Sequence, residues 1–501
     1  MNISINKTSF LFSDLMKVTF GNWKNLEEYT SYDNFSVKSI LTDTRKDNSG
    51  SLFVALIGIK YDAHDYLAHA IMSGAKALCL QKGRYSSDEI PKHIPILEVN
   101  DTLKAYQNIA NYHRNRLNNL TLIGITGSNG KTSVKEMLFG LLSQKFGDDK
   151  VYATKDNTNN LIGVPLNILN ITNLHRYAVI EMGSNHPGEI RALTEIANPD
   201  IAVITSIGPS HLEYFINIEG VIKEKLSILS NFNNPENATA VIPYQILTQK
   251  SINKVLSKYS TYLIKELSDS INLEHNITLP TNNIVNWKYN NASINGTCFD
   301  LHWHDCNVSK KISWKVPGRH QVCNAATAAA VATSVGLSCE EIALYLKSCK
   351  LSGMRMRINV IDNITWVNDA YNANPASMMA GIQWLKDIKN NPEFDFNKIL
   401  VILGDMLELG CNSIDFHDQI IKDALEMLPG VTIVGVGPLM SQVITEINKS
   451  ETSEFLHSVQ KSEYIIPFIE NIIEEGDLLY LKGSRGIALE KIENNFLHLK
   501  D

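Results

Sequence analysis

One short segment constrains the fold of this chain more than any other. The apolar run Leu122–Thr126 is typical of a strand, the glycine turn Gly127-Ser-Asn-Gly130 follows it, and a helix-like segment covers Lys131–Ser143. The backbone N–H groups of such a turn and of a helix N-terminus form a site for polyphosphate anions. In a nucleotide-binding loop of this kind the lysine reaches the terminal phosphates, and the hydroxyl of Thr132 binds Mg²⁺. Ile125 replaces the first glycine of the strict motif, but the strand–turn–helix context favours nucleotide binding over a structural turn.

A parallel sheet binds its ligands at the carboxyl ends of its strands, and three polar residues near such ends are candidates for the site. Glu181 ends the run Tyr177–Glu181, and a carboxylate there can take Mg²⁺ beside Thr132. His211 follows the run Ile201–Thr205, and Lys225 lies in the helix-like segment Gly220–Leu229. Taken singly, each has a more ordinary explanation: a solvated or capping glutamate, a structural histidine and a surface lysine.

Strand-like and helix-like patterns alternate along the 501 residues, which at roughly 150 residues per domain suggest about three domains. The alternation predicts an α/β fold with largely parallel sheets, and we place the domains at residues 1–115, 116–350 and 351–501. The polar, Asn-rich stretch Ser251–Ser313 is interpreted as antiparallel strands of an insertion, with its role open. The other predicted elements are a helix over Asp65–Ala75 and strands over Ser51–Leu56, Thr239–Ile242, Ile364–Val367, Ile399–Leu403, Val431–Val434 and Leu478–Leu481.

Composition excludes several classes of protein. The apolar fraction is 44% and the charged fraction 20%, which argues against wholesale disorder. The net charge is -7, from 46 basic and 53 acidic residues, so the chain lacks the excess of positive charge that is typical of proteins that bind nucleic acid or an anionic membrane. Seven cysteines without a C-x-x-C pair indicate neither a disulfide framework nor a zinc site. Met1–Asp14 lacks a signal-peptide pattern, and no apolar run is long enough to span a membrane. We therefore expect a cytoplasmic protein.

The phosphate loop and a series of further motifs resemble the Mur ligase family, the ATP-dependent amide-forming enzymes of peptidoglycan synthesis. The loop matches the family form T-G-[ST]-N-G-K-T over Thr126–Thr132, including the missing first glycine. The resemblance covers about residues 40 to 490 of the chain. The other matching motifs are Asp43–Arg45, Asn157–Pro165, Glu181–Ile190, His211–Glu213, Val316–His320 with Asn324, Met354–Met356, Asn368–Pro375, Leu403–Gly410 and Lys482–Gly486.

The resemblance implies three domains: a small N-terminal α/β domain that recognises a UDP-sugar, a central P-loop parallel-sheet ATPase domain, and a C-terminal Rossmann-like α/β domain that binds the incoming amine. The motifs Asn368–Pro375, Leu403–Gly410 and Lys482–Gly486 are similar to those of family members that join D-alanyl-D-alanine to the C-terminal carboxylate of UDP-N-acetylmuramoyl-tripeptide through an acyl phosphate. Both compounds are therefore the expected partners of a monomeric enzyme, with either diaminopimelate or lysine as the third peptide residue.

Two kinds of alternative remain at this point. The first is another ligase with the same chemistry, either the Mur ligase that adds the third residue or a folylpolyglutamate-like enzyme. The Asp-Asn-Pro-Arg motif usual in the third-residue ligase does not occur in this sequence. The second, less favoured alternative is a noncatalytic nucleotide-binding protein that kept the phosphate loop.

The resemblance also implies that ATP and two Mg²⁺ ions bind in the central domain. Thr132 and Glu181 hold the first Mg²⁺, and His211 with a carbamylated lysine holds the second. Lys225 lies at the matching distance, with Lys223 as a close alternative. Lys131, His211 and Lys225 are thus the expected catalytic residues. The residues implied in nucleotide binding are Gly127, Ser128, Asn129, Gly130, Lys131, Thr132, Asn324, Arg355 and Asp369.

Substrate contacts are implied in all three domains. Asn374-Pro375 has a second explanation, a helix N-cap followed by proline in the first turn, and we leave both open. Sites on separate domains imply closure by a hinge motion before chemistry. The residues implied at the UDP-sugar end are Thr44, Arg45, Asn157, Asn159 and Asn160, and those implied at the dipeptide are Asn372, Asn374 and Arg485.

Overall fold

The structure is a computed structural model that describes residues 9–26, 35–248, 256–267, 283–351, 353–450 and 455–498. These residues form three main sheets of five, nine and six strands, one after another along the chain. The predicted α/β class is confirmed, and the domain boundaries stay predictions. Parts of two predicted segments, residues 1–8 of the N-terminal stretch and 251–255 with 268–282 of the Asn-rich stretch, lie outside the described residues.

The first unit is a small α/β layer built on the N-terminal sheet. Its elements are β1 (Phe10–Leu11), α1 (Phe12–Thr19), β2 (Asn22–Lys24), β3 (Ser36–Val37), β4 (Ser39–Leu41), β5 (Ser51–Val54), α2 (Leu67–Met72), β6 (Ala77–Gln81), β7 (Ile96–Val99) and α3 (Thr102–Asn115). The strand order is β2-β7-β6-β5-β4, in which β2 is antiparallel to its neighbour and the other pairs are parallel. The predicted helix over Asp65–Ala75 is shorter than expected, a 3-10 turn over Ala63–Tyr66 followed by α2.

The central unit carries the phosphate loop. Its elements are β8 (Thr121–Thr126), α4 (Lys131–Phe146), β9 (Val151–Ala153), α5 (Gly163–Leu169), β10 (Tyr177–Glu181), α6 (Glu189–Ala197), β11 (Ile201–Ile204), α7 (Leu212–Phe215), α8 (Ile218–Leu226), β12 (Thr239–Pro243), β13 (Ser260–Glu266), β14 (Ile284–Ser293), β15 (Gly296–Trp303), β16 (Val308–Trp314), α9 (Arg319–Ser334) and α10 (Cys339–Leu346). The strand order is β16-β15-β14-β13-β12-β11-β8-β10-β9. Alternate residues of β8 enter different cores, Ile123 and Ile125 one and Leu122 the other, so helices cover both faces.

The Asn-rich stretch forms strands, and the β14–β15 and β15–β16 pairs are antiparallel as predicted, but the interpretation of these strands as an insertion is wrong. β13 and β14 continue the parallel central sheet, and β15 and β16 extend it with antiparallel pairs. The polar residues belong to the outer face of these strands, whereas Phe299, Leu301 and Trp303 are fully buried in the same core as the alanine-rich helix α9. Successive side chains of a strand point to opposite faces of the sheet. An apolar residue at every second position therefore gives the strand one buried face, even though the stretch as a whole looks polar.

The third unit is a second α/β unit, with a mostly parallel sheet that has one apolar core on each face. Its elements are β17 (Arg357–Ile361), β18 (Ile364–Asn368), α11 (Pro375–Lys389), β19 (Ile399–Gly404), α12 (Ser413–Met427), β20 (Thr432–Val436), α13 (Pro438–Ser450), β21 (Leu456–Val459), α14 (Ile466–Ile472), β22 (Leu478–Lys482) and α15 (Glu490–His498). The strand order is β17-β18-β22-β19-β20-β21, with only the β17–β18 pair antiparallel. In the described part of the chain, no helix has the length and apolarity that crossing a membrane requires.

Candidate active site

The phosphate loop lies at the switch point of the central sheet. β8, which leads into the loop, has β10 on one side and β11 on the other, so the carboxyl ends of these strands leave a crevice at the loop. Gly127 and Gly130 have φ angles of +146° and +84°, which favour glycine. A Cβ atom on Gly127 would lie 2.1 Å from Oγ1 of Thr205, so the loop can approach the β11 end only because it carries glycine there.

The turn after β11 braces the phosphate loop. The Ser128 N–H donates to the Ser206 carbonyl oxygen at 2.9 Å, and the Asn129 N–H donates to the Ser206 hydroxyl at 2.8 Å. The Ser128 hydroxyl donates to the Gly208 carbonyl oxygen at 2.8 Å. These bonds hold the loop in shape without a ligand, which lowers the ordering cost of binding one.

Lys131 folds back over the same loop. Its Nζ donates to the Gly127 carbonyl oxygen at 2.7 Å. Burial lowers the pKa of Lys131, the charge of Glu181 opposes this, and the charge of Arg355 adds to the lowering. A phosphate oxygen offers an ammonium a stronger, charge-assisted bond than a carbonyl oxygen does. Lys131 is therefore close enough to exchange its internal partner for a polyphosphate.

Thr132 and Glu181 lie together, as the two strand ends suggested. The Thr132 hydroxyl donates to Oε2 of Glu181 at 2.9 Å, and the Asn159 side-chain amide donates to Oε1 at 3.0 Å. Glu181 is only 2% exposed and, among the described residues, forms no ion pair with a cationic side chain. A buried carboxylate beside a hydroxyl is a donor set that suits Mg²⁺.

Lys225, at the C-terminal end of α8, is a buried lysine. Its side chain is 1% exposed, whereas the alternative Lys223 is exposed, so the structure favours Lys225 for any role inside the site. Nζ of Lys225 donates to the Ser184 hydroxyl at 2.8 Å. Burial, assisted by the charge of Lys131, lowers the pKa of Lys225 to about 7. Much of this amine is therefore uncharged near neutral pH.

His211 contacts the third unit. Nδ1 of His211 lies 2.5 Å from Oε2 of Glu408, and this pairing lowers the pKa of Glu408. His211 and Lys225 both contact the ring of Phe215, His211 at a centroid distance of 6.3 Å and Lys225 Nζ at 5.7 Å. No group of three or more His, Cys, Asp or Glu suited to a metal ion occurs within the described ranges. The second predicted Mg²⁺ site therefore stays a prediction.

A second contact joins the third unit to the phosphate loop itself. The side-chain amides of Asn129 and Asn374 bond reciprocally, at 3.1 Å and 2.7 Å. Asn374 is also the N-cap of α11, where its Oδ1 accepts from the Ser377 N–H at 2.9 Å and Pro375 follows in the first turn. The predicted capping role is thus confirmed, and the same side chain also reaches the loop.

The other residues predicted to bind nucleotide lie around the loop in different ways. A Cβ on Gly130 would lie 2.2 Å from Oδ1 of Asn324, so that amide packs directly on the loop. Arg355 stacks on the Tyr371 ring at 3.8 Å. The carboxylate of Asp369 accepts a hydrogen bond from Nζ of Lys482 at 2.5 Å, so its charge is neutralised within the third unit. A ribose hydroxyl that bound Asp369 would have to share the carboxylate with the Lys482 ammonium.

A cavity of about 970 Å³ separates the first unit from the central one. One wall is the segment Lys38–Leu41 with Lys46, and the opposite wall includes Lys135 and Thr154. Lys135 Nζ donates to the Thr154 carbonyl oxygen at 3.1 Å, and the Thr154 hydroxyl accepts from the Glu181 N–H at 2.9 Å. The cavity therefore ends one residue from the Thr132–Glu181 pair. Its cationic lining residues, Lys38, Lys46, Lys135, Lys155 and Lys350, outnumber the carboxylates Glu136 and Asp149.

The residues predicted at the UDP-sugar end mostly have partners inside the protein. Thr44 and Arg45 are not among the lining residues of the cavity, and Asp43 holds the Arg45 guanidinium through two bonds of 2.9 Å. Asn157 Oδ1 accepts from Asn159 Nδ2 at 3.0 Å. Asn160 Oδ1 accepts from the Gly163 N–H at 2.9 Å, at the start of α5. Of this set, Asn159 lies nearest to the chemistry, through its bond to Glu181.

The residues predicted at the dipeptide are partly exposed and lie on the third unit. Asn372 is exposed, and its Oδ1 accepts from the Ala373 N–H at 2.9 Å. The Arg485 guanidinium lies 3.1 Å from Oε1 of Glu490. Neither forms a bond across to the central unit in the described contacts, unlike Asn374.

Comparison with known proteins identifies the family. A family model described as the Mur ligase middle domain matches residues 125–332, and one described as the Mur ligase, glutamate ligase domain matches residues 354–485. Over 475 residues, 93% of each chain, this chain is 33% identical to UDP-N-acetylmuramoyl-tripeptide–D-alanyl-D-alanine ligase of Buchnera aphidicola subsp. Baizongia pistaciae. The chain belongs to the Mur ligase family.

Two further relatives extend the match over nearly all of this Mur ligase. It is 30% identical over 499 residues to UDP-N-acetylmuramoyl-tripeptide–D-alanyl-D-alanine ligase of Bacillus subtilis, covering 98% of this chain and 99% of that one. The crystal structure of MurF from Acinetobacter baumannii matches with a TM-score of 0.82 and 28% identity, covering 99% of this chain and 100% of that one. The three-unit fold of this Mur ligase is therefore that of a solved relative.

Sequence reasoning missed several residues of the site of this Mur ligase. Ser206 braces the loop, Ser184 holds Lys225, and Glu408 contacts His211. Ser184 and Glu408 both lie inside quoted family motifs, so the motifs contained them without indicating their contacts. Ser206 follows a predicted strand in a glycine-containing turn, which is a weak signal found after many strands.

Proposed function

We propose that this Mur ligase joins D-alanyl-D-alanine to the C-terminal carboxylate of UDP-N-acetylmuramoyl-tripeptide, in peptidoglycan precursor synthesis, with cleavage of ATP to ADP and phosphate. The observation that carries this proposal is the convergence of all three units on the phosphate loop. Asn374 of the third unit bonds to Asn129 of the loop, and the lysine-lined cavity shared with the first unit ends beside Glu181. A ligase with three separate substrates needs such a meeting point.

The proposed chemistry has two steps that balance in atoms and charge. The tripeptide carboxylate attacks the γ-phosphate of ATP, the bond to ADP breaks, and an acyl phosphate forms. The uncharged amine of the dipeptide then attacks the acyl carbon, an amide bond forms, the bond from the acyl carbon to the phosphate oxygen breaks, and inorganic phosphate leaves with the proton that the amine nitrogen loses. Both the nucleophile and the triphosphate of the first step are anionic, so prearranged cations such as Lys131 and Arg355 contribute by offsetting their repulsion.

The Thr132–Glu181 pair fits a Mg²⁺ ion, with the phosphate oxygens of ATP as further ligands. The fit rests on a buried carboxylate whose hydrogen-bond partners are a hydroxyl and an amide, and which forms no ion pair among the described residues. When bound, Mg²⁺ withdraws negative charge from the phosphates as a Lewis acid. The chain's own part is to hold Glu181 in place through Asn159 and the Thr154 hydroxyl.

Lys225 fits carbamylation, the reaction of an uncharged amine with carbon dioxide that releases a proton and leaves a carboxylate-like anion. Its pKa of about 7 supplies the uncharged amine near neutral pH. The Ser184 hydroxyl at 2.8 Å could donate to the new anion. We propose that this anion, together with His211, serves a second Mg²⁺.

We assign the UDP end of the tripeptide substrate to the cavity between the first and central units. A diphosphate there meets Lys38 and Lys46 from one side and Lys135 and Lys155 from the other. Because the cavity ends beside Glu181, the peptide arm would place its carboxylate near the γ-phosphate. We assign the dipeptide to the third unit near Asn372, Asn374 and Arg485, and the reaction to the reducing cytoplasm, which the seven free cysteines favour.

Phosphate release from ATP tests the proposal. With ATP, Mg²⁺ and UDP-N-acetylmuramoyl-tripeptide, we expect phosphate release only when D-alanyl-D-alanine is added, and a product whose mass is the sum of both substrates less one water. L-alanyl-L-alanine and free diaminopimelate are the matched amines, and we expect at least about a 100-fold lower kcat/KM for both. Lys131→Met should abolish turnover while Lys223→Met, at an exposed lysine, should not.

The same assay discriminates the alternatives. Turnover of UDP-N-acetylmuramoyl-dipeptide with a free diamino acid would identify a third-residue ligase and overturn the dipeptide assignment. Turnover of a folate with glutamate would indicate the folylpolyglutamate-like activity. Absence of phosphate release with every amine, while ATP still binds, would support a noncatalytic nucleotide-binding protein.

A further inference from the structure

We propose that Cys306 and Cys339 form a redox site, which closes reversibly to a disulfide and stabilises the central unit under oxidising conditions. The disulfide ties the turn between β15 and β16 to helix α10. Neither cysteine lines the cavity or belongs to the predicted site, so the inference goes beyond the proposed function and does not rest on it. The oxidant that it requires is a low-molecular-weight disulfide such as oxidised glutathione.

The two sulfurs are already in contact. Sγ of Cys306 lies 3.7 Å from Sγ of Cys339, although the two positions are 33 residues apart in the chain. A disulfide bond is about 2.0 Å long, so the sulfurs must approach by about 1.7 Å, which rotation of the two side chains can supply. All seven cysteines are free thiols, and no other two cysteine sulfurs touch within the described ranges. The geometry therefore selects one pair out of the seven.

The turn that carries Cys306 is held close to α10. It lies directly after Trp303, the last paired residue of β15. Trp303 is fully buried, and its Nε1 donates to the Thr333 hydroxyl of α9 at 3.0 Å. On β16, Nζ of Lys310 lies 2.7 Å from Oε1 of Glu340 in α10. The hairpin therefore contacts α10 through an ion pair as well as through the two sulfurs.

Cys339 is fixed on its own side, because it is the first residue of α10 and follows a complete capping box. The Ser338 hydroxyl accepts from the Glu341 N–H at 3.2 Å, and the Glu341 carboxylate accepts from the Ser338 N–H at 3.0 Å. Such a reciprocal cap fixes the start of a helix. An ion pair between Glu341 and Lys145 also joins α10 to α4. A disulfide at Cys339 thus connects the outer hairpin, through α10, to the helix that follows the phosphate loop.

Exposure assigns a separate role to each sulfur. Cys306 is exposed, so a solute can reach it, whereas Cys339 is partly buried. Burial and the adjacent sulfur of Cys306 raise the pKa of Cys339, so little of this cysteine is thiolate near neutral pH. Cys306 is therefore the cysteine that reacts with the oxidant, and Cys339 is the one that completes the disulfide.

The reaction balances as two thiol–disulfide exchanges. The Cys306 thiolate attacks one sulfur of oxidised glutathione, the S–S bond of glutathione breaks, and one reduced glutathione leaves. The Cys339 thiolate then attacks Cys306, the bond from Cys306 to glutathione breaks, and the second reduced glutathione leaves. The pair loses two electrons and two protons, which the two departing glutathione molecules carry away. An excess of reduced glutathione reverses both steps, so the disulfide forms only under oxidising conditions.

Intact mass and thiol labelling of the full chain test the pair. After incubation with oxidised glutathione at about pH 8, we expect a wild-type chain about 2 Da lighter, with a tryptic peptide pair joined through Cys306 and Cys339. Maleimide should label two fewer thiols after unfolding, and excess dithiothreitol should restore both. The melting temperature should rise by several degrees on oxidation, because the disulfide closes a loop of the unfolded chain. Cys411→Ser, which removes another exposed cysteine, is the matched control and should form the same disulfide.

Two single variants separate the roles of the sulfurs. Peptide mapping of oxidised Cys339→Ser should find one glutathione retained on Cys306, because the second exchange has no thiol. In Cys306→Ser, glutathione should add to Cys339 at least about tenfold more slowly than it adds to Cys306 in Cys339→Ser, since Cys339 is partly buried. Neither variant should melt at a higher temperature after oxidation.

Three results would overturn the proposal. The first is oxidised wild type that carries glutathione on Cys306 without a link to Cys339, since the sulfurs then do not meet in solution. The second is a link between Cys306 and Cys339 that is no more frequent than links to Cys411, which would indicate random oxidation. The third is a link that leaves the melting temperature unchanged, which would remove the stabilising effect. Because none of these readouts uses turnover, the outcome is separate from that of the phosphate-release assay.

Discussion

At the scale of single residues, Lys225 couples the chemistry of the site to the stability of the protein. Its pKa is lowered to about 7 in the folded protein, so between this pH and about 10.5 the unfolded chain binds more protons than the folded one. The free energy of unfolding must then rise with pH in that window, by up to about 1.4 kcal/mol per pH unit. Below pH 7, Lys225 is protonated in both the folded and the unfolded chain, so folding carries the full free-energy cost of burying its ammonium group.

The variant Lys225→Met isolates this contribution. In solutions freed of carbon dioxide, we expect it to be more stable than the wild type at pH 7 and to lose this advantage progressively up to about pH 10. Thermal melting against pH measures the difference, and Lys223→Met at the exposed neighbour should follow the wild type throughout. A constant difference between Lys225→Met and the wild type across this range would contradict the lowered pKa.

Some contacts between individual residues could be predicted from the sequence and others could not. Thr132 and Glu181 could be paired in advance, because Glu181 ends one parallel strand, Thr132 follows the loop after its neighbour, and such strand ends meet at one edge of the sheet. Asp369 could not be foreseen as the partner of Lys482, because a motif letter gives no orientation. The contact between His211 and Glu408 joins residues of different units, and only the docking of those units creates it.

At the scale of elements, helix α11 connects stability with nucleotide binding through Asn374. Its Oδ1 caps the helix at Ser377 and its amide also bonds to Asn129. Asn374→Asp retains the capping oxygen but replaces the amide donor by a carboxylate beside the phosphate loop. We expect an unchanged melting temperature and about a tenfold weaker ATP affinity, which corresponds to about 1.4 kcal/mol.

Two companion variants separate the cap from the charge. Asn374→Ala removes both functions and should lower helix stability by about 1 kcal/mol in addition. Asn390→Asp places the same charge at the opposite end of α11 and should leave ATP affinity unchanged. Calorimetric titration with ATP and thermal melting distinguish these outcomes, and unchanged ATP affinity in Asn374→Asp would show that the reciprocal amide contact does not matter for the nucleotide.

The elements themselves were predictable where one signal dominated. Tyr177–Glu181 was predicted to the residue because a short apolar run with flanking turns suits a fully buried parallel strand. β15 was recognised as a strand by its alternation, yet its place in the central sheet was missed, because pairing partners depend on the whole sheet. β21, with only Leu456 buried, has too little apolar pattern to predict.

At the scale of the whole molecule, positive charge is arranged locally although the chain is acidic. The net charge is -7, yet the cavity between the first and central units is lined by five lysines, and Lys131 lies near Arg355 at the loop. The acidity of the chain indicated nothing about anionic ligands, because ligand binding depends on the charges within a few ångströms. The number of units followed from length and alternation, whereas the surfaces that join them did not.

The boundary predicted at residue 115 falls at the end of a helix that serves two units at once. Near the end of α3, Arg114 has a side chain only 1% exposed, and its guanidinium bonds to Asp200 at 2.7 Å and to the Ala197 carbonyl oxygen at 3.2 Å. Asp200 also accepts from the Leu122 N–H at 2.7 Å, at the start of β8. The first unit is thus tied to the strand that carries the phosphate loop.

Arg114→Met tests this connection. Removing the cation leaves Asp200 short of its charged partner, and we expect a loss of about 3 kcal/mol, the lower end for a broken buried pair because Asp200 is partly exposed. For units of this size the melting temperature should fall by about 6–12 °C. Arg191→Met, at an exposed pair with Glu195 on α6, should change stability by less than about 1 kcal/mol. Equal melting temperatures for the two variants would mean that the other contacts of α3 hold the first unit without the Arg114–Asp200 pair, among them the bond from Asn111 to the Glu195 carbonyl oxygen. Trypsin cleavage at Arg116 would then be no faster in Arg114→Met than in the wild type.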